Sequence, residues 1–284
     1  MSHAEHPRVA LNGRIYETDR FWAGFDPGKG RICDVTVDAS DNVYVLLRYD
    51  RAAGEGGPAV VVFSPEGERL RDFGTAEVFD AHLLTAGPDG LIWVVDRDAH
   101  QILAFTPEGQ LTRTLGTRHG PLQPFNHPTD VGFSPSGDIL VSDGYAAALL
   151  HRFTAEGESL GAIGSYGEGD GEWLAPHAIW VLTDGRTALL DRDSNRVFIL
   201  DQDGGIERVI PRFHKPMAVW GDAEDRLYIT DLTPALHCIT PEGEHLGRAR
   251  PALNGAHGIC GDSRGNIYLA EGNPNRLLCM RPLP

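Results

Sequence analysis

Apolar and polar positions alternate in short runs along this chain, and no stretch repeats apolar residues at the spacing of an amphipathic helix. The runs begin in turn-forming residues and end on an acid, as in DGLIWVVDRD, SGDILVSDGY, DGRTALLDRD, EDRLYITD and RGNIYLAEG. Each reads as a turn followed by a strand. SDNVYVLLRYD is a variant first copy, which brings the number to six. The first five copies are each followed by a second signature: FSPEG at 63, FTPEG at 105, FTAEG at 153, LDQDG at 200 and ITPEG at 239. These predict hairpin turns that join the two outer strands of a sheet. Repeats of about 40 to 50 residues with about four strands each predict an all-β fold, a six-bladed β-propeller.

The last copy ends at LLCMRPLP, too short for a fourth strand. GRIYETDRFW, ahead of the first full repeat, alternates like a strand and is expected to pair into the sixth blade and close the ring. Residues 1–284 are thus expected to form a single propeller domain, with 1–30 as closing strand and lead-in.

Composition sharpens this picture at few points. The 34 Gly and 19 Pro suit a fold rich in turns. A formal charge of −15 opposes nucleic-acid phosphates and anionic membrane surfaces, so neither is an expected partner. MSHAEHPRVALNGR lacks the apolar core of a signal peptide, and no run is long enough to span a bilayer, which predicts a cytoplasmic protein. Cys33, Cys238, Cys260 and Cys279 show no CxxC spacing and are expected as buried free thiols.

Candidate chemistry comes from aligning the strand that opens each blade: RICDVTV, DAHLLTA, HPTDVGF, APHAIWV, HKPMAVW and GAHGICG. One position holds Cys33, His82, Thr129, His177, Met217 and His257 in turn. Histidine recurs in every second blade, so in a six-fold ring three imidazoles would converge on the axis. Such a trio suits Zn²⁺ with a fourth coordination position open, and imidazole also binds other first-row metals. The remaining histidines (His3, His6, His100, His119, His127, His151, His214, His237 and His245) share no such register and are expected at the surface or around the site's outer edge.

At these residues the chain resembles the peptidyl-α-hydroxyglycine α-amidating lyases, six-bladed propellers of NHL-type repeats. The likeness lies in WVVDRDAHQI, PTDVGFSPSGDILVSDGY, PHAIWVL and LLDRDSNRVFIL. It implies that His82, His177 and His257 bind zinc, that Tyr145 is the catalytic base, and that Arg48 and Arg192 are active-site cations. Arg97, at the matching site of blade two, is an alternative to Arg192. The implied reaction cleaves an N-acyl-α-hydroxyglycine to an amide and glyoxylate. A structural calcium of the family is less expected, because the Asp that follows its third histidine is Gly258 here. The family's cysteines are absent at Ala146, Ala188 and Ile199, which fits a reducing compartment.

The residue types suit that chemistry by themselves. A Lewis-acidic metal makes a bound hydroxyl easier to deprotonate, and a phenol of pKa about 10 acts as a base when cations stand beside it. Arg48 and Arg192 can also pair with a substrate carboxylate. The hairpin after Thr129 reverses the chain, so Tyr145 is expected at the mouth where Thr129 lies, and Arg48 and Arg192 return likewise beside Cys33 and His177. The expected substrate is a small hydroxylated amide or hemiaminal bearing a carboxylate. Two alternatives stay open: a metal-dependent hydrolase in the same three-histidine site, and a non-catalytic NHL propeller that binds protein.

Overall fold

The computed structural model describes residues 6–252 and 254–284, so His3 lies outside the described residues. Six antiparallel sheets stand around one axis, and each follows its repeat. Blade one is β3 (Arg31–Val37), β4 (Val43–Arg48), β5 (Val60–Phe63) and β6 (Arg69–Phe73). Blade two is β7 (Ala81–Ala86), β8 (Ile92–Asp96), β9 (Gln101–Phe105) and β10 (Leu111–Leu115). Blades three to five open with β11 (Asp130–Phe133), β15 (Pro176–Val181) and β19 (Pro216–Gly221). Their second strands are β12 (Ile139–Asp143), β16 (Thr187–Asp191) and β20 (Leu227–Asp231). All five repeated turns join the third and fourth strands of a blade, as the pattern predicts.

Ring closure follows the expectation and adds to it. The sixth blade contains β23 (Gly258–Gly261), β24 (Ile267–Gly272) and β25 (Asn275–Pro282), and takes its fourth strand from β2 (Arg14–Asp19). Tyr16 faces Pro282 and Asp19 faces Cys279 across that pairing. The alternation in GRIYETDRFW predicts one strand here. A hairpin is found, because β1 (Arg8–Leu11) folds back on β2 as a fifth strand and buries Leu11. The FW end of the expected strand turns instead into a 3₁₀ segment, Trp22–Gly24. Trp22 is buried edge-on against Tyr268 of blade six and Phe63 of blade one, at 5.2 and 5.7 Å.

Apolar faces pack blade against blade in six clusters, one at each junction. In five of the six blades an acid at the end of the second strand ties down the chain ahead of that blade's first strand, where it accepts hydrogen bonds from backbone N–H groups; blade one has Arg48 at that end instead. Asp96 accepts from Phe79 and Asp80, Asp143 from Asn126, Asp191 from Leu174 and Ala175, Asp231 from His214, and Glu271 from Asn254. Such buried N–H groups would otherwise lack partners. The four cysteines are free and buried. Among the described residues no helix is long and apolar enough to cross a membrane.

Removal of residues 1–25 takes away the closing strand and Trp22 together. The melting temperature should fall by about 10 °C or more, since a few kcal/mol of packing is lost from a domain of this size. An unchanged unfolding curve would contradict closure by this segment.

Candidate metal centre and active site

Each axial residue occupies an irregular point in its blade. Cys33, His177 and Met217 are skipped in the pairing of their strands with the second strands, as is the pair His82 and Leu83. Thr129 and His257 donate their N–H to Ser142 and Ala270, which already face Asp130 and Gly258. A bulge bends the strand and re-aims a side chain. Here it marks the level at which the aligned residues meet around the axis.

The three imidazoles converge as the alternation predicts. Their ring centroids form a nearly regular triangle with sides of 4.9, 5.0 and 5.2 Å. A ring nitrogen from each lies within 4.8 Å of the others, and no second such trio of His, Cys, Asp or Glu ligands gathers among the described residues. His82 and His177 are fully buried, and His257 is partly so.

The intervening blades supply what holds these rings. His82 Nδ1 lies 2.6 Å from the carbonyl oxygen of Thr129, His177 Nδ1 2.7 Å from that of Met217, and His257 Nδ1 3.0 Å from that of Cys33. A carbonyl can only accept, so Nδ1 carries the proton and Nε2 presents a lone pair to the axis. Burial, followed by repulsion from the neighbouring imidazoles and cations, holds His82 and His177 well below the ordinary histidine pKa. Burial, followed by the charge of Arg48, pushes His257 down to about 3. The trio is therefore a set of neutral nitrogen donors, the form in which histidine binds a metal.

Tyr145 reaches the same point from blade three. Its Oη lies 3.0 Å from His82 Nε2 and 3.1 Å from His177 Nε2, and it accepts a hydrogen bond of 3.1 Å from Arg192. The guanidinium carbons of Arg192 and Arg97 lie 5.0 and 5.2 Å from the centre of its ring. Gly144 makes the approach possible: a side chain there would collide with the carbonyl oxygen of Pro176, which Thr129 Oγ1 holds at 2.7 Å.

Arg48 ends the second strand of blade one, and Arg97 and Arg192 stand just past those of blades two and four, at equivalent places in the repeat. Arg192 keeps a 3.0 Å ion pair with Asp193 while bonding Tyr145. Arg48 donates to the carbonyl of Ala81, the residue before His82, at 2.6 Å. Asp80, which no repeat pattern in the sequence singles out, joins Arg48 at 3.3 Å to Arg97 at 2.9 Å. Its place directly ahead of Ala81 and His82 is the one signal that points to it.

One expectation, on the remaining histidines, needs correction. His151 and His237 are neither surface groups nor neighbours of the site; both are buried and paired with the strand-end acids Asp143 and Asp231, at 3.3 and 3.0 Å. His100 is also buried, and accepts the N–H of His127 at 3.1 Å. At Gly258 a longer side chain would run into the carboxylate of Asp34, so the backbone there closes on its neighbour blade.

No family model matches the chain. Among curated proteins it is 26% identical over 214 residues to a probable peptidyl-α-hydroxyglycine α-amidating lyase of Caenorhabditis elegans, covering 66% of this chain and 61% of that protein. It is 24% identical over 311 residues to peptidyl-α-hydroxyglycine α-amidating lyase 1 of Drosophila melanogaster, covering 96% of this chain and 56% of that one. It also matches human NHL repeat-containing protein 3, at 24% over 227 residues, 75% of this chain and 60% of the other. The chain thus spans less than two thirds of the length of the curated relatives it matches. Among solved structures, virginiamycin B lyase of Staphylococcus aureus superposes with a TM-score of 0.66 at 16% identity, covering 95% of this chain and 88% of that one. A putative gluconolactonase superposes with a TM-score of 0.69, also at 16% identity, covering 95% and 94%. These structures share the fold. The resemblance to amidating lyases and NHL-repeat proteins that the motifs suggest holds in the comparisons with curated proteins.

Neutral imidazoles need lose no proton to bind a metal. Zinc affinity of the metal-free protein should therefore change little between pH 7 and pH 5.5, measured by competition with a chromophoric chelator. Three histidines of ordinary pKa about 6.5 would instead be mostly protonated at the lower pH and lose affinity by roughly several hundredfold. A drop of that size would contradict the buried, pre-deprotonated trio.

Proposed function

We propose that the chain is a zinc-dependent carbon–nitrogen lyase that splits an N-acyl-α-hydroxyglycine, or a small hydroxylated amide like it, into an amide and glyoxylate or a related carbonyl compound. The observation that carries this reading is the Tyr145 oxygen, held 3.0 and 3.1 Å from two axial imidazole nitrogens and 3.1 Å from Arg192. A base, a cation and a metal-binding trio thus meet at one point. The amidating lyases among the relatives support the same class of reaction.

His82, His177 and His257 are the proposed metal ligands, with zinc favoured by an all-nitrogen set of three and a fourth position left for substrate. When bound, the ion supplies Lewis acidity to the substrate hydroxyl. Tyr145 takes the proton of that hydroxyl. The freed oxygen pair forms the carbonyl bond, the pair of the C–N bond departs onto the amide nitrogen, and the proton passes from Tyr145 to that nitrogen. No water is consumed, which separates this outcome from hydrolysis. Arg192 steadies negative charge on the Tyr145 oxygen through the transfer. Arg192 at Tyr145 and Arg48 beside Ala81, next to His82, are the cations proposed to pair with the carboxylate of a glyoxylate-forming substrate. A small-molecule substrate and a cytoplasmic setting, consistent with four buried free thiols, complete the proposal.

The test is a steady-state assay on α-hydroxyhippurate with glyoxylate and benzamide both quantified. Equimolar products are expected, and the Tyr145→Phe variant should keep its zinc while losing about 10²- to 10⁴-fold in kcat, the range for removing a general base. Undiminished turnover in that variant would remove Tyr145 from the reaction. Absence of glyoxylate from the parent protein would overturn the lyase reading.

A further inference from the structure

Tyr145 stands on the turn at 144–147, just after β12 has ended. Its neighbours on that turn are Gly144, Ala146 and Ala147, and none of them carries a side chain long enough to brace a phenol ring. The ring nonetheless holds its oxygen between His82 Nε2 and His177 Nε2, at 3.0 and 3.1 Å. What fixes it comes from other blades. Arg192 of blade four grips the oxygen at 3.1 Å. Arg97 of blade two meets the ring itself, with its guanidinium carbon over the ring at 5.2 Å from the centre.

Arg97 is fastened far more firmly than a surface arginine. Its Nε donates to Asp98 at 2.8 Å, and its Nη2 lies 3.3 Å from the same carboxylate and 2.9 Å from that of Asp80. Its backbone is tied to the same stretch, because the N–H of Arg97 donates to the carbonyl oxygen of Asp80 at 2.9 Å. The N–H of Asp80 donates in turn to Asp96 at 2.6 Å, and Arg48 holds the Asp80 carboxylate from the other side at 3.3 Å. The guanidinium is therefore a flat plate pinned by two acids. Those acids also offset its charge, so what it gives Tyr145 is chiefly a fixed surface. Arginine suits this task, since its plane can lie on an aromatic ring while its edge bonds carboxylates.

We propose that Arg97 is a positioning residue: locked by Asp80 and Asp98, it clamps the Tyr145 ring and so keeps the Tyr145 oxygen at the two imidazole nitrogens. The consequence for turnover rests on the lyase reading, whereas the placement of the ring does not. Proton transfer by Tyr145 needs its oxygen within hydrogen-bond reach of the substrate hydroxyl. A ring on an unbraced turn would spend part of its time elsewhere, and a displacement of about 1 Å is enough to slow a reaction greatly.

The experiment uses the zinc-loaded protein. Arg97→Gln should lower kcat on α-hydroxyhippurate about five- to thirty-fold, the range for loss of a desolvated cation–π contact, while KM changes by less than about two-fold. Arg97→Lys keeps the charge, loses the plane and should recover part of the rate. In a Tyr145→Phe background Arg97→Gln should cost nothing further, because a residue that acts through Tyr145 has nothing left to act on. Asp98→Asn, at a partly exposed position, loosens the same clamp and should give a smaller loss that also vanishes in Tyr145→Phe. It carries the kinetic test if Arg97→Gln loses its zinc or its fold. A raised KM at unchanged kcat, or an equal loss with and without the Tyr145 hydroxyl, would overturn the proposal. Crystal structures of the zinc-loaded parent and Arg97→Gln follow the ring without turnover: one position is expected in the parent and a displaced or split ring in the variant. A ring that moves in a protein releasing no glyoxylate would leave the clamp standing and remove the lyase reading. A ring unmoved in Arg97→Gln, with glyoxylate released at the parent rate, would remove the clamp and leave the lyase reading.

Discussion

A buried neutral imidazole has two different nitrogens to satisfy, and the propeller resolves that demand by geometry. One nitrogen must give its proton to an acceptor, and the other must find a donor or a metal. The carbonyls of Thr129, Met217 and Cys33 take the Nδ1 protons of His82, His177 and His257. Each carbonyl comes from the blade next to its histidine. A histidine in every blade would crowd six rings around one axis; alternation lets each second blade hold the ring beside it. The lone pairs then have one direction left, toward the axis.

Much of the remaining site hangs on that arrangement. Three lone pairs meeting in a small volume invite a cation, and Tyr145 Oη is held where it touches two of them. The arginines that border it come from one repeated place in blades one, two and four, so a single feature of the repeat supplies the cations around the mouth. Asp80 couples two of them and keeps both from swinging into solvent. The rigid part of the fold is elsewhere: six apolar junctions and the strand-end acids fix the blades, which leaves the axial residues free to carry chemistry.

The six blades and the axial trio are legible in the chain because both are written in side chains that recur in register. Aligning PHAIWVL with DAHLLTA and GAHGICG is enough to bring His177, His82 and His257 together. The return of Tyr145 and Arg192 to the same mouth follows from the reversal at each hairpin. The carbonyl partners are not legible, since a backbone oxygen leaves no residue type behind; Cys33, Thr129 and Met217 look like interruptions of a pattern they in fact complete. Asp80 is hidden for another reason: its two arginines are far from it in sequence or on the far side of a turn. The extra hairpin strand Arg8–Leu11 is missed because four residues with one fully buried side chain make too short a pattern to separate from a loop. His151 and His237 mislead in the opposite sense, as histidines whose partners are structural acids.

The central claim is that three imidazoles, and not the nearby thiol of Cys33 or the carboxylates, hold one metal ion on the axis. X-ray absorption at the zinc edge of the protein loaded with one equivalent of zinc tests it directly. The account predicts nitrogen or oxygen scatterers at about 2.0 to 2.1 Å with the outer-shell pattern of three imidazoles. A sulfur scatterer near 2.3 Å, or a spectrum without imidazole rings, would contradict it.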